Sequence, residues 1–226
     1  MNRERRFILW SLVALFAIIA ILFVWNRWHQ AATHFLSGTQ PSLPIANGPA
    51  PTLPPMHVTD PARGSTAQDA VVIVEFGDFA CPTCRQIEPE LKQALAQSPY
   101  PVRLIWRDFP VLTSGDPTPT VTAIAGRCAQ AQGKFWELHD AMFASGDLSW
   151  NALLQLAQAV QLNTTTFKQC LTYSTAILQT IGNDLQDARD HHIDSAPTFF
   201  IGHDVLTGFH TAGDFTVAIS RAYHRP

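Results

Sequence analysis

The stretch Val71–Cys84 reads V-V-I-V-E-F-G-D-F-A-C-P-T-C. Its first six residues are β-branched or aromatic around a single charge, the composition of a strand buried on both faces. Gly77 to Ala80 supply a turn, and proline at position 82 suits the first residue of a helix, where the N–H it lacks would have had no partner. This predicts a helix from Pro82 to about Gln97, with Ile87, Leu91, Ala94 and Leu95 on one face. Cys81 then becomes the N-cap. Its sulfur faces the free amides of Thr83 and Cys84, as an N-cap oxygen does.

Those amides and the positive end of the helix dipole favour a thiolate over a thiol, so Cys81 is expected to titrate below the ordinary value of about 8.5. Cys84 lies one turn further on the same face, within reach of a disulfide. Cys81 is therefore the expected nucleophile, and Cys84 the thiol that attacks a mixed disulfide and releases the partner. A thiolate held this way stabilises the reduced pair, which makes the disulfide form an oxidant of other dithiols. Cys84 also needs a proton carrier. Glu75, the lone charge in the strand, is a candidate, because burial raises a carboxyl pKa; a partly exposed strand-end carboxylate is the equal alternative. Asp78 reads as a turn residue.

C-P-T-C is also half of a zinc knuckle, which needs a second close pair of ligands. Cys128 and Cys170 stand apart, and the histidines show no H-x3-H partner motif, so neither a metal nor any other cofactor is expected.

Outward from this stretch, Val102 to Trp106 reads as a second strand that stops before Pro110. Helical spacing recurs from Thr118 to His191, in Phe135, Leu138, His139 and Met142, in Leu153, Leu156 and Val160, and in Ile177, Ile181 and Leu185. Thr198–Ile201, a Gly202-His203-Asp204 turn and Val205–Phe209 predict a hairpin, followed by a helix carrying Phe215, Ile219 and Tyr223. The order is β-α-β, a helical block, then β-β-α. Cys128 and Cys170 both fall in the helical block; in an oxidising compartment they are expected to form a structural disulfide, the alternative being two small core residues. His139 and Trp106 read as core residues, and His191-His192 as a loop. Asn163-Thr164-Thr165 matches a glycosylation sequon, a pattern too short to carry weight.

Upstream, Phe7–Trp25 is an uncharged apolar run of 19 residues, about 28 Å as a helix and close to the width of a bilayer core. Bulky Trp25, Arg27 and Trp28 follow it rather than a small-x-small cleavage site, which favours a retained anchor, although His29-Gln30-Ala31-Ala32 leaves cleavage open. Arg3, Arg5 and Arg6 precede the run, so the amino terminus is expected in the cytoplasm and the rest outside. Seven of the 24 residues from Thr39 to Ala62 are proline, the composition of an extended tether. Setting aside three arginines and one glutamate before Trp25, the totals of 15 basic and 18 acidic side chains become 12 and 17. That acidic balance argues against nucleic-acid binding. Four cysteines in 226 residues exclude a disulfide-dense miniprotein.

Three blocks in this order, Val71–Cys84, G-K-F-W-E-L-H-D-A-M-F (Gly133–Phe143) and A-P-T-F-F-I-G (Ala196–Gly202), resemble the thioredoxin superfamily, and more closely its DsbA-like branch with a helical insertion. The resemblance covers roughly Val71 to Tyr223. It implies an α/β thioredoxin fold with an inserted helical subdomain at about 115–190. It also implies that Pro197, between Ala196 and Thr198, is a cis-proline beside the cysteines that helps present a substrate backbone. Ala196 stands where the family commonly has threonine or valine, and Pro82-Thr83 lacks the histidine of the strongest oxidants, so a milder potential is expected.

The expected organisation is a cytoplasmic stub and transmembrane anchor (1–28), a Pro-rich linker (29–66) and the catalytic domain (67–226). The domain would face the periplasm or cell exterior from the inner membrane, on a single pass. The expected activity is oxidation of dithiols in folding secreted proteins, with a DsbB-like membrane partner restoring the disulfide. The alternatives are a tethered reductase or isomerase with a DsbD-like partner and a dedicated client, such as cytochrome maturation, and a binding or chaperone module without turnover.

Overall fold

A computed structural model describes residues 52–111, 115–172 and 174–225. The expected anchor, Phe7–Trp25, and most of the linker lie outside these residues. Among the described residues no helix is long and apolar enough to cross a membrane.

Strand β2 (Val71–Gly77) is buried along nearly its whole length, as its unbroken apolar composition requires. It pairs parallel with β3 (Val102–Asp108) on one side and antiparallel with β4 (Thr198–Ile201) on the other. Strand β5 (Asp204–Thr207) pairs with β4. A short β1 (Ala62–Gly64) pairs antiparallel with β3, so the sheet runs β1-β3-β2-β4-β5.

Helix α1 (Pro82–Gln97) follows β2, and α7 (Ala212–His224) closes the chain. Both bury their apolar stripes on one sheet face, where Ile87, Leu91, Phe215 and Ile219 pack on Ile73, Leu104, Phe199 and Ile201. Between β3 and β4 come α2 (Thr118–Gln130), α3 (Phe135–Ser145), α4 (Trp150–Ala159), α5 (Thr164–Thr172) and α6 (Thr175–Asp190). Ala188 of α6 meets Val74, Phe76 and Phe200 on the opposite sheet face. The other four helices share a core with Phe79, Cys84 and Trp106, so the redox helix is wedged between the sheet and the insertion.

Strand β1 lies within the range expected as linker, 29–66, and the chain just before it is docked. Arg107 Nη1 donates to the Pro55 carbonyl at 2.7 Å, Gln130 Nε2 to Thr59 at 2.8 Å, and the Trp106 amide to Pro61 at 2.9 Å. Backbone carbonyls bind in this way whatever side chains carry them, so composition alone did not mark the contact.

Candidate redox site

Cys81 is the N-cap of α1, and Pro82 occupies the first helical turn. Extended backbone angles at Cys81 turn its side chain back over the helix end, where the Cys84 N–H donates to its sulfur at 3.3 Å. Both thiols are free; Cys81 is partly exposed and Cys84 is buried. The Cys81 thiol is lowered to about 6, first by a hydrogen bond from the Cys84 thiol and further by the Cys84 and Thr83 amides, against burial and the charge of Asp78. Cys84 is pushed strongly upward, first by burial and then by its bond to Cys81 and the charge there. One sulfur is therefore an anion at neutral pH and the other a thiol, the division of labour that exchange requires.

The turn before the helix is held by Asp78, whose carboxylate accepts the Ala80 amide at 2.8 Å and the Val111 amide at 2.9 Å. Burial raises its pKa. Asp78 thus braces the approach to Cys81. Across the site the Ala196–Pro197 bond is cis, and the Ala196 carbonyl lies 3.5 Å from the Cys81 sulfur. Pro197 has its own carbonyl taken by the Gly208 amide at 2.9 Å, and the Thr198 hydroxyl donates to Ser195 at 2.8 Å. The structure thus brings Cys81, Pro82, Thr83, Cys84, Ala196, Pro197 and Thr198 to one place.

Glu75 is fully buried, which removes the reading of a partly exposed strand end. Alternation along β2 puts it on the same face as Ile73, towards α1. Its pKa is raised well above the carboxylate range, first by burial and then by the charge of Glu88, against Arg63 and Lys92. Neither of its oxygens has a hydrogen-bond partner among the described residues. Glu75 in turn raises Cys84.

Behind it, Glu88 Oε1 receives Arg63 Nη2 and Lys92 Nζ, each at 3.3 Å. Asp140 Oδ1 receives Arg63 Nη1 at 3.2 Å, Lys92 at 3.1 Å and His139 Nδ1 at 2.9 Å. Glu88, His139 and Asp140 are spaced closely enough to hold a metal ion. Two cationic side chains already converge on both carboxylates, however, so a further cation would meet repulsion there. His139 sits among Phe79, Trp106, Phe135, Trp136 and Phe143, and burial holds its pKa down, as befits a core histidine. Cys128 and Cys170 are joined by a disulfide that fastens α2 to α5.

The thioredoxin family model matches residues 57–221, most of the described chain. The chain belongs to the thioredoxin family. Within that fold a helical block stands between β3 and β4, and the two cysteines are arranged as thiol–disulfide exchange requires. A thioredoxin-like oxidoreductase from Silicibacter pomeroyi is 26% identical with a TM-score of 0.66, over 75% of this chain and 95% of that one. The thiol–disulfide exchange protein alpha-DsbA2 from Wolbachia pipientis shares the fold at 22% identity and a TM-score of 0.64, over 75% and 88% of the two chains. A curated relative, the Na(+)/H(+) antiporter NhaA 1 of Salinispora arenicola, is 32% identical over 154 residues. The match takes in 68% of this chain but only 23% of the antiporter, so the chain spans less than a quarter of that relative's length.

Sequence reasoning about this thioredoxin-family chain reached the cysteines, the proline loop and Glu75, but not Glu88, Asp140, Arg63 or Lys92. Glu88 had a signal: it falls four residues after Cys84, on the buried stripe of α1. The other three come from β1, the exposed side of α1 and the middle of α3; Lys92 stands at i,i+4 from Glu88, but nothing local brings in Arg63 or Asp140.

Proposed function

We propose that this thioredoxin-family oxidoreductase works outside the cytoplasm, tethered to the inner membrane by Phe7–Trp25, and oxidises dithiols of folding secreted proteins. The observation that carries the exchange chemistry is the split between the two sulfurs: an acidic, accessible Cys81 and a buried, weakly acidic Cys84. The anchor and its orientation rest on the uncharged run and the three arginines before it.

In the oxidising direction a client thiolate attacks Cys81 of the Cys81–Cys84 disulfide. The sulfur–sulfur bond breaks, a mixed disulfide forms on Cys81, and Cys84 leaves with the electron pair. Because Cys84 favours the thiol so strongly, it takes up a proton, and Glu75 is the group we assign to supply it. The second client thiolate then attacks the client sulfur of the mixed disulfide and expels Cys81 as a stable thiolate. Two electrons pass from client to enzyme; one client proton is in effect kept on Cys84 and the other goes to water. Pro197 and the Ala196 carbonyl border the groove where the client strand lies. A membrane redox partner of DsbB-like type would re-form the disulfide by the same steps.

The reduction potential tests the direction. A value nearer about −120 mV supports an oxidase, and one near about −270 mV supports a tethered reductase with a DsbD-like partner. Loss of exchange in Cys81→Ser separates both from a binding module, which would keep its effect on clients.

A further inference from the structure

The docked segment Pro55–Pro61 is fastened by buried charges that end under the redox turn. Arg107 and Arg127 are buried, as are Asp108 and Asp184. Arg107 Nε donates to Asp184 Oδ1 at 2.6 Å and its Nη2 meets Asp187, while Nη1 holds the Pro55 carbonyl. Arg127 Nη2 donates to Asp184 Oδ2 at 2.6 Å, and its Nη1 to the Thr59 carbonyl at 3.1 Å. His57 Nε2 lies 2.8 Å from Asp187, and Asp60 lies 3.7 Å from Arg107. Each guanidinium thus spends part of its donor fork on the backbone of this segment and part on aspartates, Arg107 on α6 and Arg127 on α6 and β3.

The same cluster holds Trp106. Arg127 Nε donates to Asp108 Oδ2 at 2.5 Å, and Asp108 Oδ1 accepts the Trp106 indole N–H at 2.8 Å. The Trp106 backbone N–H meanwhile donates to Pro61. The six-membered ring of this indole sits against Gly77, where a β-carbon would collide with it, and stacks on Phe79 with centroids 4.7 Å apart. Gly77 and Phe79 begin and carry the turn that delivers Cys81 to the helix end.

We propose that Trp106, held by Asp108 and Arg127, is a positioning residue for the redox turn, and that docking of Pro55–Pro61 sets its placement. The segment where the expected tether meets the domain is then part of the active-site support. Loosening it lets the turn drift and carries the Cys81 sulfur away from the Cys84 and Thr83 amides. The thiolate loses stabilisation, and the pair becomes a weaker oxidant. This rests on the exchange chemistry proposed above, and the test separates the two.

The full chain is compared with Asp60→Ala, which removes the charge beside Arg107 and the acceptor of the His57 amide N–H, and with Trp106→Phe. Three quantities are read: the Cys81 midpoint from thiolate absorbance, the equilibrium constant with glutathione, and hydrogen exchange at the Trp106 indole. Both variants should raise the midpoint and weaken oxidation of glutathione by roughly two- to fivefold, the span of a helix-terminus interaction. Asp60→Ala should also speed exchange of the indole proton. An unchanged midpoint and equilibrium constant in folded Asp60→Ala overturn the proposal, whatever Trp106→Phe does and however far either variant lowers the melting temperature. Failure of the wild-type chain to exchange with glutathione would instead remove the chemistry on which it rests.

Discussion

The Cys84 backbone N–H points at the Cys81 sulfur from 3.3 Å, while the Cys84 side chain is itself sealed from solvent. One residue therefore lends its amide and thiol proton to its neighbour's anion and is held as a thiol in return. Cys84→Ala and Cys84→Ser should separate these contributions. Serine keeps a side-chain donor, so Cys81 should stay near 6; alanine removes the largest cause of the low value and should raise the midpoint. Thiolate absorbance against pH decides it, and equal midpoints in the two variants would assign the effect to the amides alone.

Cys84→Ser should also trap clients. With no second thiol to resolve the mixed disulfide, covalent adducts on Cys81 should accumulate and dissolve on adding reductant. Non-reducing electrophoresis with a reduced, unfolded client shows them. Cys81→Ser should give no such adduct through Cys84, which is buried and protonated.

Reduced and oxidised protein should differ in how stability follows pH. Cys81 has a lower pKa in the folded reduced chain than in the unfolded one, so its contribution is fully present above the unfolded value of about 8.5 and fades as pH falls through about 6. The disulfide form has no such group. Reduced protein should thus gain on oxidised protein between pH 6 and 8.5, as read from paired denaturant midpoints. A constant gap across that window would mean that Cys81 titrates as an ordinary cysteine.

The strands that frame the site were readable because each is decided by its own residues: V-V-I-V-E-F can scarcely be anything but a buried strand, and Pro82 fixes where the helix begins. The elements that escaped depend on distant partners. Ala62–Gly64 is three residues with no apolar pattern, and it is a strand only because the β3 edge offers it hydrogen bonds. Arg107, Arg127, Asp108 and Asp184 look like surface charges in sequence; their burial follows from a meeting of β3, α2 and α6 across up to 77 residues. Glu75 lies between these cases. Its apolar neighbours made burial one of two equal readings, while its oxygens' lack of a partner among the described residues and the second carboxylate behind it appear only in three dimensions.

The Cys128–Cys170 disulfide should act on stability with little effect on exchange. It closes a loop with a sequence separation of 42, for which chain entropy gives about 4 kcal/mol. Cys128→Ser/Cys170→Ser should unfold at correspondingly lower denaturant concentration while Cys81 keeps its midpoint. A shifted Cys81 midpoint in the folded double variant would show that the second disulfide supports the redox site as well.

Glu75→Gln tests the proton carrier by two independent readings. Below about pH 4 the wild-type carboxyl is protonated in both folded and unfolded chains and costs nothing. As pH rises, the unfolded chain ionises first, because burial and Glu88 hold the folded carboxyl in its neutral form. A raised folded pKa means stability that is present below the unfolded pKa and is lost as pH rises towards the folded one. Glutamine cannot ionise, so Glu75→Gln should be more stable than wild type at pH 7, with the advantage disappearing near pH 4. Kinetics should move the opposite way. When Cys84 attacks a glutathione mixed disulfide on Cys81, it must first give up its proton, and without Glu75 that step should slow by at least roughly tenfold and lose its pH dependence in the range where the carboxyl titrates. A stabilised variant with unchanged closure kinetics would leave Glu75 as a buried charge alone and send the proton by another route.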